Sequence, residues 1–208
     1  MKFDYPRMIT GIIATTLVLS MASTGCRQGS ADGRSTPSEP TVVGQPLASD
    51  QLASVQSALD TMKSVGLSDD SKLGSELLSK HILKAATPDD VYFKQSEKEG
   101  NTPYAYTLSD GKQPSAIVLA PRFFSEATPT GRAALLIHEF GHYRAYVATG
   151  KSDEVDGYKV EYDEHKQLGL TEADSLVYFS MLDGIVEYVV PKYPKYKDYP
   201  DVKAYNSQ

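Results

Sequence analysis

The stretch 131–137 (GRAALLI) runs without a break into His138, Glu139, Phe140, Gly141 and His142, and this junction narrows the possible folds more than any other part of the chain. Apolar residues fill the turns before the first His, which predicts a buried helix. Two imidazoles four residues apart leave such a helix from one face, about one turn from each other, so both can reach one small cation. Gly141 leaves room beside them for another element to approach closely. Zinc suits the pair best, and Glu139 then lies next to the metal's open position, where it can take a proton from a water whose pKa the metal lowers to about 7. The pattern points to metal-dependent hydrolysis, against the plainer reading of an amphipathic helix that happens to expose two His.

After His142 the sequence reads as the rest of that helix, a turn at Gly150 and Lys151, and a second helix over 152–167 with Ser152 or Asp153 as its N-cap. Possible donors there are Asp153, Glu154, Asp156, Glu161, Asp163, Glu164 and His165. Helical spacing puts Glu154, Tyr158, Glu161 and His165 on one face and turns Asp156 and Asp163 elsewhere. An antiparallel pair about the turn sets Glu161 opposite His142 and leaves Glu154 nearer the turn, whereas a steep crossing favours Glu154. Asp153 keeps a minor claim. A hydrolase also needs a donor to steady the negative oxygen of the tetrahedral intermediate, for which Tyr158, Tyr162 and His165 are the candidates. With 14 Tyr in the chain, each of these tyrosines also has a simple packing role open to it.

HEFGH, within 115–170, resembles the zincin metallopeptidases and among them the gluzincins, in which a Glu on a later helix completes the metal site. The resemblance implies His138 and His142 as ligands and Glu139 as general base and acid. Glu154, followed by Gly157 and Tyr158, is similar to the second gluzincin motif, which implies Glu154 as the third ligand with Glu161 as the alternative. It also implies a zincin-like α+β fold, mostly helical, with a small sheet or hairpin before the HExxH helix. In that fold an edge strand lies over the cleft and can pair with an extended peptide, so 116–124 (AIVLAPRFF) is the expected substrate shelf.

Elsewhere, apolar spacing predicts helices over 51–66, 72–86 and 171–190, the last opened by Thr171. Short strands are expected over 91–94, 104–108 and 116–119, with a turn at Asp110 and Gly111. His81 has no donor at ligand spacing and reads as a surface or packing residue. The Pro, Lys and Tyr of the tail suggest an extended arm.

The chain starts with Lys2 and Arg7 before a largely apolar core over 8–21, the pattern of an export signal and too short for a membrane span. Ser23, Thr24, Gly25 and Cys26 resemble a bacterial lipobox, which implies a lipid anchor on Cys26. Cys26 is the single cysteine, so it cannot close an internal disulfide. Arg27 after it favours an outer membrane. The expected organisation is a signal peptide over 1–26, a Gly, Ser and Pro-rich tether over 27–50 and one catalytic domain over 51–208. A net charge of -6 argues against nucleic acid, leaving a peptide or protein substrate as the expected partner. The alternative is an inactive zinc-binding or surface-interaction lipoprotein.

Overall fold

A computed structural model describes residues 44–100, 102–109 and 113–207. The expected leader, Cys26 and the turn at Asp110 and Gly111 lie outside the described residues. Gln45 already pairs with Ala85 as an isolated bridge, and α1 (Ser49–Ser64) starts at once. Regular structure is thus already present before residue 51, the expected domain boundary.

The fold is α+β, mostly helical, with a three-stranded sheet. After α1 come α2 (Ser68–Ser79), β1 (Leu83–Ala85), α3 (Val91–Lys98), β2 (Ala105–Ser109), β3 (Pro114–Leu119) and α4 (Pro121–Ser125). The long α5 (Pro129–Thr149) and α6 (Glu154–Leu168) follow. A 3-10 turn (Glu172–Asp174) leads into α7 (Ser175–Gly184), a π-helical turn (Ile185–Val189) and α8 (Val190–Lys192), and the chain closes with a 3-10 turn (Pro194–Asp198) and α9 (Pro200–Asn206). No helix of the described residues is long and apolar enough to cross a membrane.

Strand alternation divides the sheet between two cores. Leu83, Ala105, Ile117 and Leu119 join the main core with Leu59, Met62, Leu136, Ile137 and Phe140 from the helices. Tyr106, Ala116 and Val118 face the other way and form a small cluster with Phe93 and Ala86. The sheet thus lies between α3 and the α1–α5 layer.

Four expectations are corrected. The helix expected over 72–86 stops at Ser79, and its last residues form β1, which pairs parallel with β3. Residues 91–94 are helical, not extended: the Asp90 carboxylate accepts from Phe93 N at 3.2 Å and from Tyr106 Oη at 2.7 Å, which caps the helix and ties it to the sheet. In the strand order β1-β3-β2, the shelf strand β3 lies in the middle with a neighbour on both sides, so the sheet edge nearest α5 is β2. The C-terminal tail folds into short helical turns that bury Tyr196 and Val202, instead of running extended.

Candidate metal centre

α5 begins where Thr128 accepts from Gly131 N with Pro129 at the first position, and ends where Gly150 takes the left-handed conformation at φ 74°. Asp153 then caps α6: its side chain accepts from Val155 N at 3.0 Å, and Asp156 reaches back to Asp153 N at the same distance. A short turn thus joins the two helices, which pack against each other. Two glycines decide how close they come. A Cβ on Gly141 would lie 2.5 Å from the Asp156 carbonyl oxygen, and one on Gly157 would lie 2.6 Å from His138 Nε2. Glycine at both positions lets helix backbone and imidazole share space that any other residue would fill.

His138 lies against Gly157, with one Glu a turn to either side. Its Nδ1 is 3.1 Å from Glu161 Oε2, and its Nε2 is 3.7 Å from Glu154 Oε2 and 3.1 Å from His142 Nε2. His142 Nδ1 is 2.9 Å from Ser152 Oγ, whose hydroxyl donates to Asp156 Oδ2 at 2.9 Å. Each ring is thus held at Nδ1, where it donates, and both Nε2 atoms turn to the same point. His138, His142 and Glu154 each bring one ligand atom to within 4.8 Å of the others, and all three are buried. Three buried donors so placed can bind a metal ion. Two imidazole nitrogens and a carboxylate oxygen are a donor set that zinc and other first-row metals accept.

The polar bookkeeping points the same way. Neither oxygen of Glu154 has a hydrogen-bond donor among the described residues, nor has Glu161 Oε1. Buried carboxylates without donors are costly, and a cation at the shared point would answer the Glu154 pair directly. Burial pushes the Glu154 carboxyl up to about 7, with His138 pulling against it. Burial opposes a charged His138, but Glu154, Glu161 and Glu139 around it outweigh that and push its pKa up to about 10. Burial and the charge on His138 hold His142 well below the usual histidine range. The proton of this pair therefore rests on His138, and a metal bound there would have to release it, since a ligating imidazole is neutral.

Glu139 is 2% exposed, and burial raises its pKa while His138 and Thr107 pull it down. The Thr107 hydroxyl of β2 donates to Glu139 Oε2 at 2.5 Å.

The remaining candidates fall elsewhere. Tyr158 is buried, its ring edge-on to His138 with centroids 4.5 Å apart, and it stacks on Tyr188. His165 turns away: its Nδ1 bonds the Tyr162 carbonyl and its Nε2 lies 3.1 Å from Asp201 Oδ2. It borders a cleft of about 440 Å³ that none of His138, His142 or Glu154 lines. The Tyr162 hydroxyl likewise serves Asp201. Asp153 caps α6 and pairs with Lys192 at 2.6 Å, outside the metal group. Of the two Glu residues between which the sequence left a choice, Glu154 stands with the imidazoles and Glu161 braces one of them.

Thr107, Ser152 and Asp156 escaped the sequence reading as parts of the site. The serine and aspartate had a signal in the capping pattern Ser-Asp-Glu-Val-Asp, but a lone Thr in a strand has none. Nothing among protein-family models, curated proteins or solved structures matches this chain.

Proposed function

We propose that the chain is a zinc-dependent hydrolase of the gluzincin-like zincin type, a peptidase, in which His138, His142 and Glu154 hold the metal and Glu139 is the general base. One observation carries this reading: a buried His-His-Glu donor set sits beside a buried carboxylate on the next residue of the same helix. Zinc held there supplies a Lewis acid and makes water acidic enough to ionise near neutral pH. Glu139 takes the proton of the attacking water and passes it to the leaving amine. Glu161 and the Ser152–Asp156 pair keep both imidazoles protonated at Nδ1, which leaves Nε2 of each for the metal. Tyr158 is the nearest of the three oxyanion candidates, since its ring adjoins His138. An extended peptide adding to the sheet would meet it at β2, the edge that carries Thr107.

A closed structural metal site is the second reading, and burial favours it: His138 is 3% exposed and His142 1%. Against it, structural zinc takes four protein ligands, while three donors meet among the described residues. Three plus one open position is the catalytic arrangement. The rest of the proposal concerns residues outside those described: export, and a lipid anchor on Cys26 in a bacterial membrane, checked by mass spectrometry of the membrane-extracted protein for an acylated Cys26.

The deciding experiment measures zinc content and cleavage of a proteome-derived peptide library by the purified protein and by Glu139→Gln. The variant should keep its zinc while turnover falls by about 10²–10⁴-fold. Undiminished cleavage would remove Glu139 from the mechanism. Zinc bound without cleavage by either protein would favour the structural reading.

A further inference from the structure

Thr107 is a buried polar side chain on the face of the sheet that turns to the helices. Its neighbours on that face, Ala105, Ile117 and Leu119, are apolar and belong to the main core. Thr107 is 2% exposed, so its hydroxyl has left water, and a buried hydroxyl is costly without a partner. The partner is Glu139 Oε2 at 2.5 Å, a residue 32 positions away on another element. Valine has the same shape, is at least as good a strand former, and would fill the position with no polar group to satisfy. Packing alone therefore leaves the hydroxyl unexplained.

The hydroxyl's effect on Glu139 does explain it. A Glu side chain has three rotatable bonds, and α5 by itself fixes only its root. The sheet supplies what the helix cannot. Thr107 is registered opposite Ile117 in the antiparallel pair, and β3 is held on its other side by β1, so the hydroxyl stands on a supported strand and not on a loop. With Oε2 engaged, the carboxylate is held in one rotamer, and its second oxygen is left for the proton it must accept.

We infer that Thr107 is a positioning residue for the general base, and that β2 sets the working geometry of Glu139 through this single hydroxyl. The inference rests on the hydrolase reading of the site. It assigns the sheet a part in the chemistry besides any part in docking a peptide, and it makes the pair Thr107–Glu139 one unit contributed by two layers of the fold.

The test compares the zinc-loaded protein with its Thr107→Val, Thr107→Ala and Thr107→Ser variants. One readout is binding of acetohydroxamic acid by calorimetry, since a hydroxamate on the metal needs a correctly placed general base to accept its proton. The other is cleavage of the peptide library, with kcat and KM determined separately on its best substrate. Loss of the hydroxyl in Val and Ala should weaken hydroxamate binding and lower kcat by about 10–100-fold, with KM and zinc content unchanged, and Ser should restore both. In a Glu139→Gln background, Thr107→Val should have no further effect on hydroxamate binding. Wild-type values in Val or Ala overturn the inference, as does a Ser variant as impaired as Ala, even if Val fails to fold. A zinc-loaded wild-type protein that binds no hydroxamate overturns the hydrolase reading itself and the inference with it. Hydroxamate binding that is indifferent to Thr107 overturns the inference alone.

Discussion

The α5–α6 pair and the C-terminal segment both bury polar groups against α6, and they treat them in opposite ways. At the C-terminus tyrosine hydroxyls meet carboxylates: Tyr196 donates to Asp163 at 2.8 Å and Tyr162 to Asp201 at 2.5 Å, and away from α6 Tyr205 donates to Asp183. Tyr162 also stacks on Tyr199 with the rings 4° from parallel. Such pairs close on themselves and ask for nothing further. Between α5 and α6, Glu154 and one oxygen of Glu161 remain without donors while two imidazoles converge beside them. The first arrangement fastens the chain; the second leaves donor atoms that a cation could take up. Two stretches of α6 thus use similar residue types for different ends, and the difference lies in which polar atoms are left over.

The sharpest way to break the comparison is to remove the metal. If the α5–α6 polar set is built around a cation, zinc at a thousandfold excess over its Kd should stabilise the protein by about 4 kcal/mol, and chelation should lower Tm by about 10 °C. Calorimetric scans with zinc and with chelator check this, and identical traces would mean that the leftover carboxylates have another explanation. Gly157→Ala comes next. Its Cβ would press on the His138 ring, so a loss of about 1–3 kcal/mol in urea unfolding should come with weaker zinc binding. Stability lost without any change in affinity would show that the glycine serves helix packing alone.

On the C-terminal side the expected effects are smaller and confined to stability. Tyr196→Phe removes the bond to Asp163 and should cost about 1 kcal/mol, with zinc affinity unchanged by calorimetric titration. A change in affinity would join the two regions that the comparison separates. The smallest effect belongs to Glu164, which α6 presents to neither set. Burial, then the nearby Asp70, raise its carboxyl from 4.5 to about 7, with Arg144 pulling the other way. The folded chain therefore holds a proton that the unfolded chain releases near pH 4.5. This contribution is fully present below that value and is lost as pH rises to about 7. Glu164→Gln should flatten this part of the pH–stability profile and stabilise the protein at pH 8 by about 1 kcal/mol or less, since the group is only partly buried and is screened. A profile unchanged by the substitution would assign the slope to other groups.

How much could be read beforehand varied with the range of the cause. The α5 and α6 helices, the strands over 105–109 and 114–119, and the first and last long helices were legible because periodicity and capping are local. The 91–94 segment was misread as a strand because its β-branched and aromatic residues outweighed Asp90, whose capping role depends on a tyrosine 16 residues away. The end of α2 was missed because β1 exists only through its pairing with β3. The sheet edge was misplaced for a similar reason: strand order is a property of crossovers, which no strand's own sequence records.

The candidate site divides along the same line. The sequence alone determined that His138, Glu139 and His142 share a buried helix, because spacing and apolar surroundings are one-dimensional facts. It also narrowed the third donor to one stripe of the next helix. Only the tertiary structure groups Glu154, and not Glu161, with the ligand atoms of the two imidazoles, because that depends on where two helices touch, and Gly141 against Asp156 and Gly157 against His138 set that contact. Only the tertiary structure brought Thr107 to Glu139, since a hydrogen bond between a strand and a helix comes from packing across a core and leaves no period, spacing or motif in the chain.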